Sequence, residues 1–108
     1  MITVKMLHDE KGLYRGFSIR GHADGYEKDG EYDLICAAVS AITLTTAGGL
    51  KDVLHQEGTF DSDFGFMQVE ISSPEDEKCQ VLFQTMVHGL RNVENQYPRH
   101  LKILDIKG

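Results

Sequence analysis

Residues 34–54 read LICAAVSAITLTTAGGLKDVL, a run of Ala, Ile, Leu, Val and Thr without a strong polar face. That composition predicts a largely buried helix, and a helix needs a sheet or further helices to bury it. Gly48-Gly49 near its end marks a close packing contact, a bend or the C-terminus, because each glycine costs about 1 kcal/mol relative to alanine in a helix interior. Upstream, Ile2, Val4 and Met6 alternate with polar residues over Ile2–His8, the period-two pattern of a half-buried strand. Glu10-Lys11-Gly12 turns the chain, and Tyr14, Phe17 and Ile19, interrupted around Gly16, form a returning strand that ends at Arg20-Gly21-His22.

Downstream, a short strand is expected at Thr59–Asp63 and a better patterned one at Phe66–Ser72. Ser73-Pro74-Glu75-Asp76 reads as a helix start: a serine N-cap, proline first, then acids at the positive dipole end. The helix that follows carries Leu82, Met86, Leu90, Val93 and Tyr97 on one stripe and stops at Tyr97-Pro98. Leu101, Ile103, Leu104 and Ile106 form a last strand. The expected class is α+β, two helices packed on a β-sheet in the order β-β-α-β-β-α-β, as one domain over residues 1–108.

Composition narrows function by exclusion. A net charge of −6, from 17 acidic against 11 basic side chains, disfavours phosphate-backbone binding and suits basic partners, although an excess of this size by itself selects no function. No secretory leader is recognised at Met1-Ile2-Thr3-Val4-Lys5, and no membrane partner is expected; the cytoplasm is the expected location. Cys36 and Cys79 are expected to stay reduced there. His8, His55, His88 and His100 have no metal-ligand spacing, and no phosphate-binding glycine loop follows a strand, so neither metal nor cofactor is expected.

The chemistry concentrates around the start of the first helix. Residues 23–33, ADGYEKDGEYD, hold two glycines and five carboxylates with no apolar period, which predicts an exposed, mobile loop. With Asp33 as N-cap, Cys36 lies three positions into the helix, where orphan N–H groups and the helix dipole favour a thiolate. The N–H groups of Cys36, Ala37 and Ala38 are candidate oxyanion donors. His22, at a strand end across the loop, is the histidine placed to act as the base of a thiol nucleophile. Both residues also have plainer readings, a small buried cysteine and a turn histidine, and spacing alone does not choose between them. Asp33 is most simply a cap, or holds His22; Ser40, one turn beyond Cys36, packs or supports by a hydrogen bond. Cys79 reads as structural.

Gly21-His22-Ala23 followed by Gly30-x-x-Asp33-x-x-Cys36-Ala37-Ala38-Val39-Ser40-Ala41 resembles the signature of the ribosomal-processing cysteine protease Prp family. His88-Gly89-Leu90 and Tyr97-Pro98 resemble that family's late motif, so the resemblance covers nearly the whole chain. It implies an endopeptidase that removes a short N-terminal extension from large-subunit ribosomal protein twenty-seven. By the same resemblance Cys36 is the nucleophile and His22 its partner, Asp33 and Ser40 accompany them, and the loop bearing Gly21, Gly25 and Gly30 covers the substrate. A homodimer is implied too, as is an apolar pocket for the aromatic residues beside the cut. The loop here is about two residues longer than the family's and more acidic, which bears on recognition rather than on chemistry. The competing readings are a non-catalytic, ribosome-associated assembly module, and a redox or metal protein that would have to bring Cys36 and Cys79 together.

Overall fold

A computed structural model describes residues 1–21, 31–63 and 65–107. The order of elements is the expected one: β1 (Ile2–His8), β2 (Tyr14–Arg20), α1 (Glu31–Gly48), β3 (Gly58–Asp63), β4 (Phe66–Ile71), α2 (Glu77–Gln96) and β5 (Leu101–Lys107). The strands form one mixed sheet in the order β3-β4-β2-β1-β5. Among the described strands only β1 and β5 run parallel, with Ile2 opposite Leu101 and Val4 opposite Ile103.

The β1–β2 hairpin is tied by its turn. The Asp9 carboxylate accepts from the N–H groups of Lys11 and Leu13, both at 2.9 Å, and Gly12 takes a φ of 84° that other residues disfavour. The interruption at Gly16 has a packing cause: a Cβ there would collide with the Val69 carbonyl of β4.

One face of the sheet is covered by both helices. Val4, Met6, Phe17, Ile19, Val69 and Ile103 point into a core shared with Ile35, Val39 and Leu50 from the α1 region and Phe83, Met86 and Leu90 from α2. Burying one such side chain contributes about 1.5–3 kcal/mol. The helices meet where Gly89 faces Ile42, so the glycine of the late motif serves the α1–α2 contact. After Gly48 the chain enters a π-helical turn, Gly49–Val53, closed by the Leu54 N–H on the Gly49 carbonyl at 2.9 Å. Gly49 packs against Leu82, which makes the glycine pair both a contact and the end of the regular helix.

Three expectations are corrected. α1 begins at Glu31, so Asp33 lies inside its first turn and is not its N-cap, and the loop gives up residues 31–33 to the helix. α2 begins at Glu77 with Asp76 as N-cap, its carboxylate accepting from the Lys78 N–H at 2.9 Å, while Ser73-Pro74-Glu75 forms a preceding turn; a carboxylate adjoining the helix displaced the more distant serine. α1 is also less buried than its composition suggests. Residues 34–53 are long and apolar enough to cross a membrane by length and composition, yet Ile35, Val39 and Thr43 face the sheet while Leu34 and Leu44 face outward.

Candidate active site

Cys36 is half-buried on the flank of α1. It lines a cleft of about 390 Å³ between that helix and the β2–β4–β3 side of the sheet. The helix wall is Cys36, Val39, Ser40, Thr43 and Leu44, successive positions on one side of α1. The floor is set by strand order, which brings Ile2 of β1, Ile19 of β2, Met67 of β4 and Ser62 of β3 to one end of the sheet. Phe66, Asp63 and Gly65 close the far side. Arg20 caps the outer face of Phe66, its guanidinium 4.8 Å from the ring centroid, which holds the ring at the cleft's edge. The result is a mostly apolar trough with the Cys36 thiol and the Ser40 and Thr43 hydroxyls on the helix wall and Ser62 and Asp63 as polar groups on the sheet side.

Gly21 lines the same cleft and is the residue directly before His22. Its N–H donates to the Gly65 carbonyl at 3.1 Å, its φ is 102°, and a Cβ would run into the Met1 carbonyl. Only glycine fits, and the backbone leading to His22 is thereby pinned at the cleft. His22, Gly25 and Gly30 themselves lie outside the described residues, as does the expected mobility of their loop.

Among the other expected site residues, Ser40 is exposed one turn from Cys36, Ala37 faces outward and Ala38 is half-buried. The N–H groups at positions 36–38 are not orphan donors as expected. In an α-helix that starts at Glu31 they have acceptors four residues back, and only the first turn leaves N–H groups free. Cys36 is the sixth residue of the helix, beyond the turn in which the dipole acts most strongly.

Cys79 is fully buried in the first turn of α2. Burial pushes its thiol above the ordinary cysteine value, and the Asp76 carboxylate adds to the rise. Among the described residues no three His, Cys, Asp or Glu side chains converge as metal ligands would. The sequence did not reveal the cleft floor, because Ile2, Ile19 and Met67 read only as core positions until strand order brings them beneath Cys36.

A half-exposed thiol on a helix flank over an apolar trough, in an α+β domain, defines a candidate thiol hydrolase. Against known proteins, the model of the family Cysteine protease Prp matches residues 1–102. The ribosomal processing cysteine protease Prp of Staphylococcus aureus is 24% identical over 107 residues, covering 95% of this chain and 97% of the relative. The crystal structure of the S. aureus protease with a substrate peptide superposes with a TM-score of 0.87 at 21% identity, over 98% of this chain and 100% of that one. A Streptococcus mutans protein structure gives 0.85 at 24% identity, over 100% and 99%. The chain belongs to the Prp family of ribosomal-processing cysteine proteases, and it is a cysteine protease.

Proposed function

We propose that this protease removes the N-terminal extension of large-subunit ribosomal protein twenty-seven, with Cys36 as nucleophile and His22 as base. The observation that carries the reading is the shared cleft: the Cys36 wall, an apolar floor and Gly21, the residue before His22, all border one cavity. A cysteine half-exposed in an apolar trough can meet a peptide carbonyl there, and Ile19, Val39, Phe66 and Met67 suit a large apolar side chain next to the cut. The S. aureus relative has been crystallised with a covalently linked product peptide, which favours covalent catalysis over a non-catalytic assembly role.

The chemistry follows from these roles. His22 takes the Cys36 thiol proton as sulfur attacks the scissile carbonyl carbon; the tetrahedral intermediate collapses and the leaving amine takes that proton from His22. Water then attacks the thioester, giving one proton to His22, which returns it to the departing sulfur, and the new carboxyl terminus leaves. Ser40, exposed on the same wall, donates a supporting hydrogen bond toward the substrate. The enzyme acts in the cytoplasm, as a homodimer, on a basic protein that suits its net charge of −6.

A peptide spanning the extension junction tests this reading. The wild type should cut it once, beside the aromatic residues, and Cys36→Ala and His22→Ala should each lose more than about a thousandfold in kcat while still binding. Cleavage by Cys36→Ala at the wild-type rate, with contaminating protease excluded, returns the case to the assembly module.

A further inference from the structure

We infer that an extended segment of the substrate joins the sheet as an added strand along the outer edge of β3 and runs from there into the Cys36 cleft. The inference rests on the protease reading above and deepens it by naming how the substrate is held. A cleft of about 390 Å³ is small for a ligand site, enough for the side chains around a cut but not for a longer recognition segment. Selecting one protein for one cut needs further contacts, and a sheet edge offers them through main-chain hydrogen bonds.

The described sheet has two edges, and they differ. β5 carries Lys102 and Lys107, and the Glu94 carboxylate of α2 accepts from the Ile103 N–H at 2.9 Å, so a side chain already occupies the middle of that edge. β3 reads GTFDSD, with neither lysine nor proline, and among the described strands it has a neighbour on one side only, β4. Its outward groups can be assigned. With Gly58 opposite Ile71, the Ser72 N–H donates to the Glu57 carbonyl at 2.9 Å, and bonded and unbonded pairs alternate along an antiparallel ladder. Thr59, Asp61 and Asp63 therefore bond to β4, while Phe60 and Ser62 turn their N–H and carbonyl groups away from it.

The same two residues send their side chains to the helix-covered face. Phe60 packs against the core, with Lys51 Nζ 6.0 Å from its ring centroid, and Ser62 lines the cleft. A strand added here points every second side chain to that face. Its path ends beside Ser62 and Asp63, on the sheet side of the cleft, so the edge and the site are continuous. Charge favours a basic occupant, because Asp61 and Asp63 stand on β3 and the whole chain is at −6. The same carboxylates disfavour nucleic acid, and two β3 edges paired with each other would set like charges side by side.

The test uses the full chain as Cys36→Ala, the uncut junction peptide, and amide hydrogen exchange read by NMR. On peptide binding the Phe60 and Ser62 amides should exchange at least about tenfold slower, since each gains a partner. Thr59 and Asp61 should change less because β4 already holds them, and Ile103, on the other edge, should not change. In the otherwise wild-type enzyme, Ser62→Pro removes one outward donor and should raise KM at least about tenfold with kcat within about threefold. Should Ser62→Pro fold poorly by circular dichroism, peptides N-methylated at one residue at a time decide, with KM rising at every second position. A wild-type KM in folded Ser62→Pro, no alternation in the N-methyl series, or unchanged exchange at Phe60 and Ser62 with peptide bound would overturn the added strand and leave the protease reading intact. Slowing that follows protein concentration instead of peptide would give the edge to a second copy and overturn it too. A peptide that slows Phe60 and Ser62 but is never cut by the wild type sinks the cleavage reading and leaves the strand standing. One that is neither bound nor cut overturns both.

Discussion

The molecule has two cysteines near helix starts, and they differ in nearly every respect that matters for reactivity. Cys79 holds the third position of α2, inside the turn where free N–H groups and the dipole favour a thiolate. It is nonetheless fully buried, beneath Phe83 and the sheet, and its thiol is pushed up by burial and by Asp76. Cys36 sits one turn deeper in its helix but opens onto a cleft. The pair teaches that position along a helix does not by itself make a thiol reachable: Cys79 lies in the favoured turn and is buried, while Cys36 opens onto a cleft. A reading based on the dipole alone favours the buried thiol.

The comparison can be strained most at the cleft's entrance. Gly21→Ala forces a side chain into the Met1 carbonyl and onto a φ of 102°, with a backbone cost of about 1–3 kcal/mol before any collision. Thermal unfolding should show a marked loss of stability, and peptide cleavage should fall by more than tenfold because the backbone before His22 moves. A normal melting point with normal activity would mean that this glycine does not set the site.

Ser40→Ala probes the Cys36 wall more gently. A supporting hydrogen bond is worth about 0.5–1.5 kcal/mol net, so kcat/KM should drop roughly tenfold with little change in stability. A loss as deep as that of Cys36→Ala would make Ser40 part of the reacting group instead.

Much of this fold was legible in the chain. The period-two run at Ile2–His8, the strand pattern at Phe66–Ser72, the uncharged run from Leu34 and the stop at Tyr97-Pro98 each follow from local rules, and the structure places strands and helices there, β4 ending at Ile71. Strand order was not legible. The parallel pairing of β1 with β5 joins residues about a hundred positions apart, and nothing local in Ile2 or Leu101 announces it. For the same reason Cys36 could be singled out while the trough beneath it could not. Helix starts were misjudged at both ends of the argument: at α2 an adjacent aspartate displaced Ser73, and at α1 the acidic run Glu31-Tyr32-Asp33 turned out to be helical. The outward face of α1 was missed because Ala, Leu and Thr look alike in sequence whether they meet a core or face outward.

On the other side of the comparison the expected effects are small. Cys79→Ala should cut the peptide within about twofold of wild type and lose on the order of 1 kcal/mol of stability for the vacated sulfur. Because the folded state holds this thiol protonated above its ordinary value near 9.0, the folded protein keeps a proton that the unfolded chain releases. Its contribution to stability is therefore complete below about pH 9 and declines above it, and chemical denaturation should show a steeper alkaline loss for wild type than for Cys79→Ala. Identical alkaline slopes would show that Cys79 titrates alike in both states.

The most direct measurement is the rate at which iodoacetamide modifies each thiol in the folded, native protein, followed by mass spectrometry with peptide cleavage assayed on the same samples. Cys36 should be alkylated first, with activity falling in proportion to its modification, while Cys79 stays unmodified until the protein unfolds. Equal labelling of the two, or full activity after Cys36 is completely alkylated, would contradict the account.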